Sequence, residues 1–489
     1  MRQLIPIDDA YRTRVSRRAF LERTAAGMGS IALATLLGRD RVLAESAAAP
    51  AATPAAVTNP FGGTLPRLHH APRAKRVIFL VMAGGASHLE TLDPKPRLAE
   101  MNGQPMPDSI TAGQPIAQLQ GQALKCLAPQ HEFRRWGRSG QQISSAFPHI
   151  GSIADEICVV RSMVTEQINH DPAHTFMNTG TSISGRPSMG SWVWYGLGNE
   201  ADDLPGFVVL ASSGGGQDQP IAARQWQAGF LPGRTQGVYF RSKGEPVLYL
   251  DSPPGVGGVR QRDVIAAVES LDRRFHARVR DPEIDTRITQ YEMAFKMQTS
   301  VPELVDFSNE SRETLDLYGV RAPDGSFAAN CLLARRLGER GVRFIQLYHR
   351  GWDHHGGIRD GIRTTANLVD RASAALVEDL KRRGLLEDTL VVWGGEFGRT
   401  PMAQGNGRDH HIKGFSWWLA GGGVRGGTSY GATDELGYNA VENICHMHDF
   451  HATMLHLLGV EHERLNYRFQ GRDFRLTDVH GRVIDEIFA

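Results

Sequence analysis

Three short segments of the chain concentrate side chains that can bind a cation or move a proton. His349-Arg350-Gly351-Trp352-Asp353-His354-His355-Gly356-Gly357 offers one carboxylate and two or three imidazoles, the donor set of a hard-to-borderline divalent cation. Gly394-Gly395-Glu396-Phe397-Gly398-Arg399-Thr400 places a carboxylate among glycines, which let the backbone approach a ligand closely. Arg408-Asp409-His410-His411 adds a third group. At least two carboxylates and two imidazoles from three loops suffice for one closed metal site or one open catalytic site.

The elements around them set where they sit. Arg76 to Met82 is a continuous apolar run that stops at Ala83-Gly84-Gly85, a pattern that predicts a buried parallel strand followed by a Gly-rich turn. A helix around His149 to Ala154 leads to a strand at Ile157 to Val160, and Val208 to Leu210 is a further strand. Residues 261 to 319 read as polar helix punctuated by Pro282 and Pro302. Alternation then returns: helix 327–340, strand Val342 to Tyr348, helix 361–383, strand Thr389 to Trp393, strand Phe415 to Ala420, helix 449–458. This order predicts an α/β fold, a mostly parallel sheet sandwiched by helices, with residues 215–325 as a helical insertion or cap. Ligands of such sheets bind at the C-terminal strand ends, where the three segments fall.

At 489 residues and 41% hydrophobic, the chain can bury a large core. With a formal charge of +1 nothing in the sequence makes a long basic face, and no nucleic-acid partner is expected. The four cysteines, Cys126, Cys158, Cys331 and Cys445, form no Cys-x-x-Cys pair and are expected as free thiols. Ser16-Arg17-Arg18-Ala19-Phe20-Leu21, followed by an apolar stretch from Ala25 to Leu37, matches a twin-arginine export signal, with Glu22 where lysine is frequent. Residues 1–44 are therefore expected as signal peptide, 45–66 as an Ala/Pro-rich linker, and 67–489 as the folded domain. The location expected is periplasmic or extracytoplasmic. The apolar stretch of the signal is short for a bilayer, and no later segment is long and apolar enough for a stable membrane span.

Several strings resemble a known family. Trp352-Asp353-His354-His355, Glu396-Phe397-Gly398-Arg399-Thr400-Pro401, Gly407-Arg408-Asp409-His410, Leu419-Ala420-Gly421-Gly422-Gly423-Val424 and Asp449-Phe450-His451-Ala452-Thr453 look like the sulfatase-like family catalogued as domain of unknown function 1501, of the alkaline phosphatase superfamily. The likeness runs from about residue 68 to the C-terminus. It implies the same α/β sheet, a divalent cation (zinc being one candidate) and Asp353, His355, Glu396 and His410 as its ligands, with His354, Asp409 and His411 as alternatives. It also implies that Asp449 caps the helix Asp449 to Leu455.

The chain departs from the sulfatase pattern where the nucleophile belongs. The matching stretch is His170-Asp171-Pro172-Ala173-His174-Thr175-Phe176-Met177-Asn178-Thr179-Gly180, so His170 takes the nucleophile slot and His174 replaces an arginine. Gly84-Gly85 stands where an aspartate is usual, and Phe397 where a second metal would want histidine. The expected activity is a metal-dependent hydrolase of sulfate or phosphate esters, atypical for carrying His170 and His174 as catalytic residues, acting on a small-molecule or glycan ester. The alternatives are a non-catalytic periplasmic binding or assembly protein that keeps the fold, and a carbohydrate- or sulfate-recognising protein using the same pocket. Trp192, Trp194 and Tyr195 are expected as a packed helix face, and Gly421-Gly422-Gly423 as a turn after a strand.

Overall fold

The computed structural model describes residues 59, 61–248, 250, 258–279 and 282–489. The twin-arginine segment and the linker up to residue 58 lie outside the described residues. A nine-stranded sheet organises the rest. Its strands are β1 (Arg76–Met82), β2 (Ile157–Val164), β3 (Phe207–Ala211), β4 (Val238–Phe240), β5 (Phe344–His349), β6 (Thr389–Gly394), and β9 to β11 (Phe415–Ala420, Thr428–Tyr430, Cys445–His446). A separate hairpin pairs β7 (Gly398–Gln404) with β8 (Gly407–His411). The sheet order is β10-β2-β9-β6-β1-β5-β3-β4, with β11 also paired to β2.

The central strand β1 is buried along its whole length. Its side chains alternate between two cores: Ile78, Leu80 and Met82 enter one, Val77, Phe79 and Val81 the other. That is the signature of a strand covered on both faces, each fully buried aliphatic side chain contributing about 1.5–3 kcal/mol. Strands β1, β3, β4, β5 and β6 run parallel. The helix α4 (Phe327–Glu339) leads into β5 and α5 (Ile358–Arg382) connects β5 to β6 on one face, while α1 (His170–Thr179) and α6 (Met447–Leu457) contribute to the core of the other. Long helices α2 (Gly258–Val279) and α3 (Pro282–Val305) fall within the expected insertion. No helix among the described residues is long and apolar enough to cross a membrane.

The expected mostly parallel sheet is present, and within it the strand Phe415–Ala420 is antiparallel to both β6 and β2. Two sequence expectations change. Arg408 to His411 is not loop but strand β8, because the chain after Glu396 folds back as a hairpin before it joins the sheet. His446, not Asp449, is the N-cap of α6; Asp449 is its reciprocal partner, accepting from the His446 N–H at 2.9 Å in a capping box. Other expectations hold as made. Trp192 is buried in the helix Met189–Leu197, with Trp194 and Tyr195 packed beside it. Gly421, Gly422 and Gly423 all have positive φ, as a tight turn after β9 requires. All four cysteines are free and buried.

Candidate metal centre

Register brings the site together. Met82 of β1 pairs with His349 of β5, and Val81 pairs with Gly394 of β6, so three neighbouring parallel strands end at one level. The loops 83–85, 350–357 and 395–397 leave that edge side by side. Gly84 makes the approach possible: at φ +122° an added Cβ would lie 2.6 Å from the Asp353 nitrogen. Its N–H donates to both oxygens of Glu396, at 3.0 and 3.2 Å. The β7–β8 hairpin then sets Arg399 opposite His410. From the other side α1 presents His170, His174 and Asn178, spaced four apart on one helix face. Asn178 anchors that face to β5 by accepting from Gln346 Nε2 at 2.7 Å.

Asp353, His355 and His410 meet directly. His355 Nε2 and His410 Nε2 are 2.9 Å apart and lie 2.9 and 3.3 Å from Asp353 Oδ1. The other ring nitrogen of each histidine is committed. His410 Nδ1 donates to the Ile168 carbonyl at 2.8 Å. His355 Nδ1 donates to Gln404 Oε1, whose amide nitrogen in turn donates to Gln118 at 2.9 Å. With Nδ1 donating in each case, a neutral ring turns its Nε2 lone pair toward the other ring and a carboxylate oxygen, and Gln118 Nε2 lies 3.4 Å from His355 Nε2. Three acceptors so close repel unless a cation lies between them, and the spacing suits adjacent ligands of one ion bonded at about 2.0–2.2 Å. The residues fit a divalent cation.

Glu396 is not in that triangle. It is completely buried on the far side of His170, whose Nδ1 lies 2.7 Å from Glu396 Oε1 while its Nε2 lies 3.2 Å from Asp353 Oδ2. His170 thus bridges two carboxylates, its ring held between Phe397 and His410 at centroid distances of 4.9 and 4.4 Å. Burial would lower its pKa, but the two carboxylates outweigh this and push it up to about 9. Burial raises the carboxyl of Glu396, yet His174 and His170 bring it down to about 2. Asp353, despite its own burial, is held well below the usual carboxylate range by His170, His355, His410 and Arg399. His174 is completely buried, 3.4 Å from Glu396 Oε1, and desolvation lowers its pKa against the pull of that carboxylate.

The alternative ligands turn elsewhere. Asp409 sits at the bulge of β8 and accepts from the backbone of Gln118 and Leu119 at 2.6 and 3.0 Å. His411 donates to the Tyr438 carbonyl, and the ring of His354 packs against Gly361. One important residue had no role in the sequence reading. Arg399, fully buried, donates to the carbonyls of Gly84 and Gly85, to that of Arg408 at 3.0 Å, and to Asp353 Oδ1. Its signal was a charged residue three positions after Glu396 in a segment otherwise apolar enough to be buried. Glu90, paired with Arg408 at 2.7 Å, is likewise fully buried beside the site. Counting carboxylates and guanidiniums alone, Glu90, Asp353, Glu396 and Asp409 outnumber Arg399 and Arg408 by two, and the raised pKa of His170 offsets one of these charges until a cation takes its place.

Residues 74–488 match the model of a family described as protein of unknown function (DUF1501). No curated protein matches the chain. Among solved structures, a sulfatase from Pseudoalteromonas sp. is similar at 12% identity over 80% of this chain and 69% of its own, with a TM-score of 0.32. A phosphonate monoester hydrolase from Silicibacter pomeroyi gives 10% identity, 79% and 73% coverage and a TM-score of 0.34. The alkaline phosphatase from the Antarctic bacterium TAB5 gives 12%, 79% and 98%, and 0.31.

Proposed function

The chain belongs to the family described as protein of unknown function (DUF1501), and from that premise we propose that it is an exported, metal-dependent hydrolase of sulfate or phosphate esters. The observation that carries the reading is the Asp353–His355–His410 triangle, two imidazole nitrogens and a carboxylate oxygen converging within 3.3 Å of one another. A divalent cation held there would act as a Lewis acid toward the ester and lower the pKa of water. The triangle lies at the open edge of the cluster: His355 is 26% exposed, while Glu396 and His174 are completely buried. An ester can therefore approach from the His355 side.

The remaining residues bind and orient. Arg399 fixes one oxygen of Asp353 and His170 the other, so the carboxylate cannot swing away. Gln404 and Ile168 hold the two imidazoles in the tautomers that present Nε2. His170 stands in the slot that the sequence resemblance gives to a nucleophile, but carboxylates face both of its nitrogens. Hydrolysis by direct attack of water, with His170 as a positioning group, follows more naturally than a covalent adduct on His170. The twin-arginine motif supports export of the folded protein.

The purified protein, stripped by chelator and refilled with zinc, manganese, calcium or magnesium in turn, tests this against an aryl phosphate and an aryl sulfate. Metal-dependent release of the aryl alcohol by wild type and its loss in Asp353→Asn are expected. A folded, metal-loaded protein inert toward both esters would contradict the hydrolase reading.

A further inference from the structure

His170 and His174 are one helical turn apart on α1, and both face Glu396. One ring nitrogen from each of His170 and His174 and a Glu396 oxygen all lie within 4.8 Å of one another, with His170 Nδ1 2.7 Å and His174 Nε2 3.4 Å from Glu396 Oε1. His174 has no solvent exposure, and neither of its ring nitrogens has a hydrogen-bond partner among the described residues. Its Nε2 approaches Glu396 Oε1 to 3.4 Å without the alignment of a hydrogen bond. Burying an imidazole with both nitrogens unpaired is costly, on the order of 1–3 kcal/mol for each unsatisfied group, and native interiors avoid it unless another partner is present.

The chemistry of the three groups says which partner fits. Two imidazoles and one carboxylate are a donor set for a borderline divalent cation such as zinc. The carboxylate is already held by the Gly84 N–H, and the spacing of four fixes both rings on one face of a helix. The second nitrogen of His170 turns toward a carboxylate as well: Nε2 lies 3.2 Å from Asp353 Oδ2, an ion-pair distance without the alignment of a hydrogen bond. A ligating histidine that donates its other N–H to a carboxylate is the usual arrangement around bound metal.

We propose that His170, His174 and Glu396 form a second, buried site for a divalent cation, connected through the His170–Asp353 contact to the open triangle of Asp353, His355 and His410. The inner site stands on its own atoms and does not depend on hydrolase activity. With both sites filled, the charge count above shifts from a surplus of two negative charges to two positive ones, which suits a doubly anionic ester group at the open edge.

Metal stoichiometry of the full-length purified protein decides the matter, measured after chelator treatment and titration with zinc, then with cobalt as a spectroscopic probe. The inference expects two equivalents in wild type and one in His174→Ala, with the cobalt absorption of the inner site missing in the variant. Glu396→Gln, closer in shape, should give the same loss if His174→Ala fails to fold. One equivalent in wild type that both variants retain overturns the inference and leaves the open triangle as the site. One equivalent that His174→Ala removes and Asp353→Asn keeps supports the inner site and refutes the open one. No bound metal in wild type refutes both.

Discussion

His355 and His410 depend on partners that never touch substrate. Gln404 holds His355 through Nδ1, and the Ile168 carbonyl holds His410 in the same way. Gln404→Ala should therefore weaken metal binding about 10- to 100-fold without unfolding the protein, as a competition titration with a chelating dye would report. Unchanged affinity would mean that His355 is not a ligand. The strings at Asp353, Glu396 and His410 were legible because acidic and imidazole side chains at sheet ends are unusual residues in unusual places. Their grouping was not legible. Four ligands read as one shell divide into a triangle and a separate buried glutamate, because His170 inserts its ring between them from a segment more than 180 residues earlier. Nothing in the spacing of His170 and His174 shows which way that face of α1 turns. Arg399 stands in the same string as Glu396, but its role depends on the hairpin that aims it at Asp353.

The elements hold the site through close backbone approach more than through any single bond. Gly84 lies against the backbone of Trp352 and Asp353 with φ +122°, a conformation that L side chains rarely adopt. Gly84→Ala should destabilise the fold by more than about 2 kcal/mol and perturb metal binding together with it, measured by urea denaturation and metal titration on the same sample. A substitution that is silent in both would show that the turn after β1 does not position Glu396. Strand and helix order were readable from the sequence because β1, β5 and β6 are continuous apolar runs and α5 carries a strong amphipathic period. The β7–β8 hairpin escaped because Gly398 to His411 alternates neither apolar with polar nor at helical spacing; buried arginines and histidines fill it instead. The reversed direction of β9 likewise follows from that hairpin, which returns the chain to the C-terminal edge before β9 begins.

At the scale of the whole molecule, buried histidines make stability depend on pH. Desolvation lowers His451 to about 3 from an ordinary value near 6.5, and its Nε2 donates to the Met177 carbonyl at 2.8 Å. Between those values the unfolded chain binds the proton and the folded chain does not, so stability falls as the pH drops from about 6.5 toward 3. The urea midpoint should be lower at pH 5 than at pH 7, and His451→Gln should make that dependence shallower; an unaltered slope would remove His451 from the account. The export proposal belongs to this scale as well. Replacing Arg17-Arg18 by two lysines should retain the protein in the cytoplasm, read by cell fractionation, and undiminished export would point to another route. The central claim is that Asp353, His355 and His410 bind a cation, and the most direct test is a crystal structure of the zinc-soaked protein with anomalous scattering recorded on either side of the zinc edge. The account predicts an anomalous peak within bonding distance of Asp353, His355 Nε2 and His410 Nε2. Well-ordered side chains with no peak between them would contradict it.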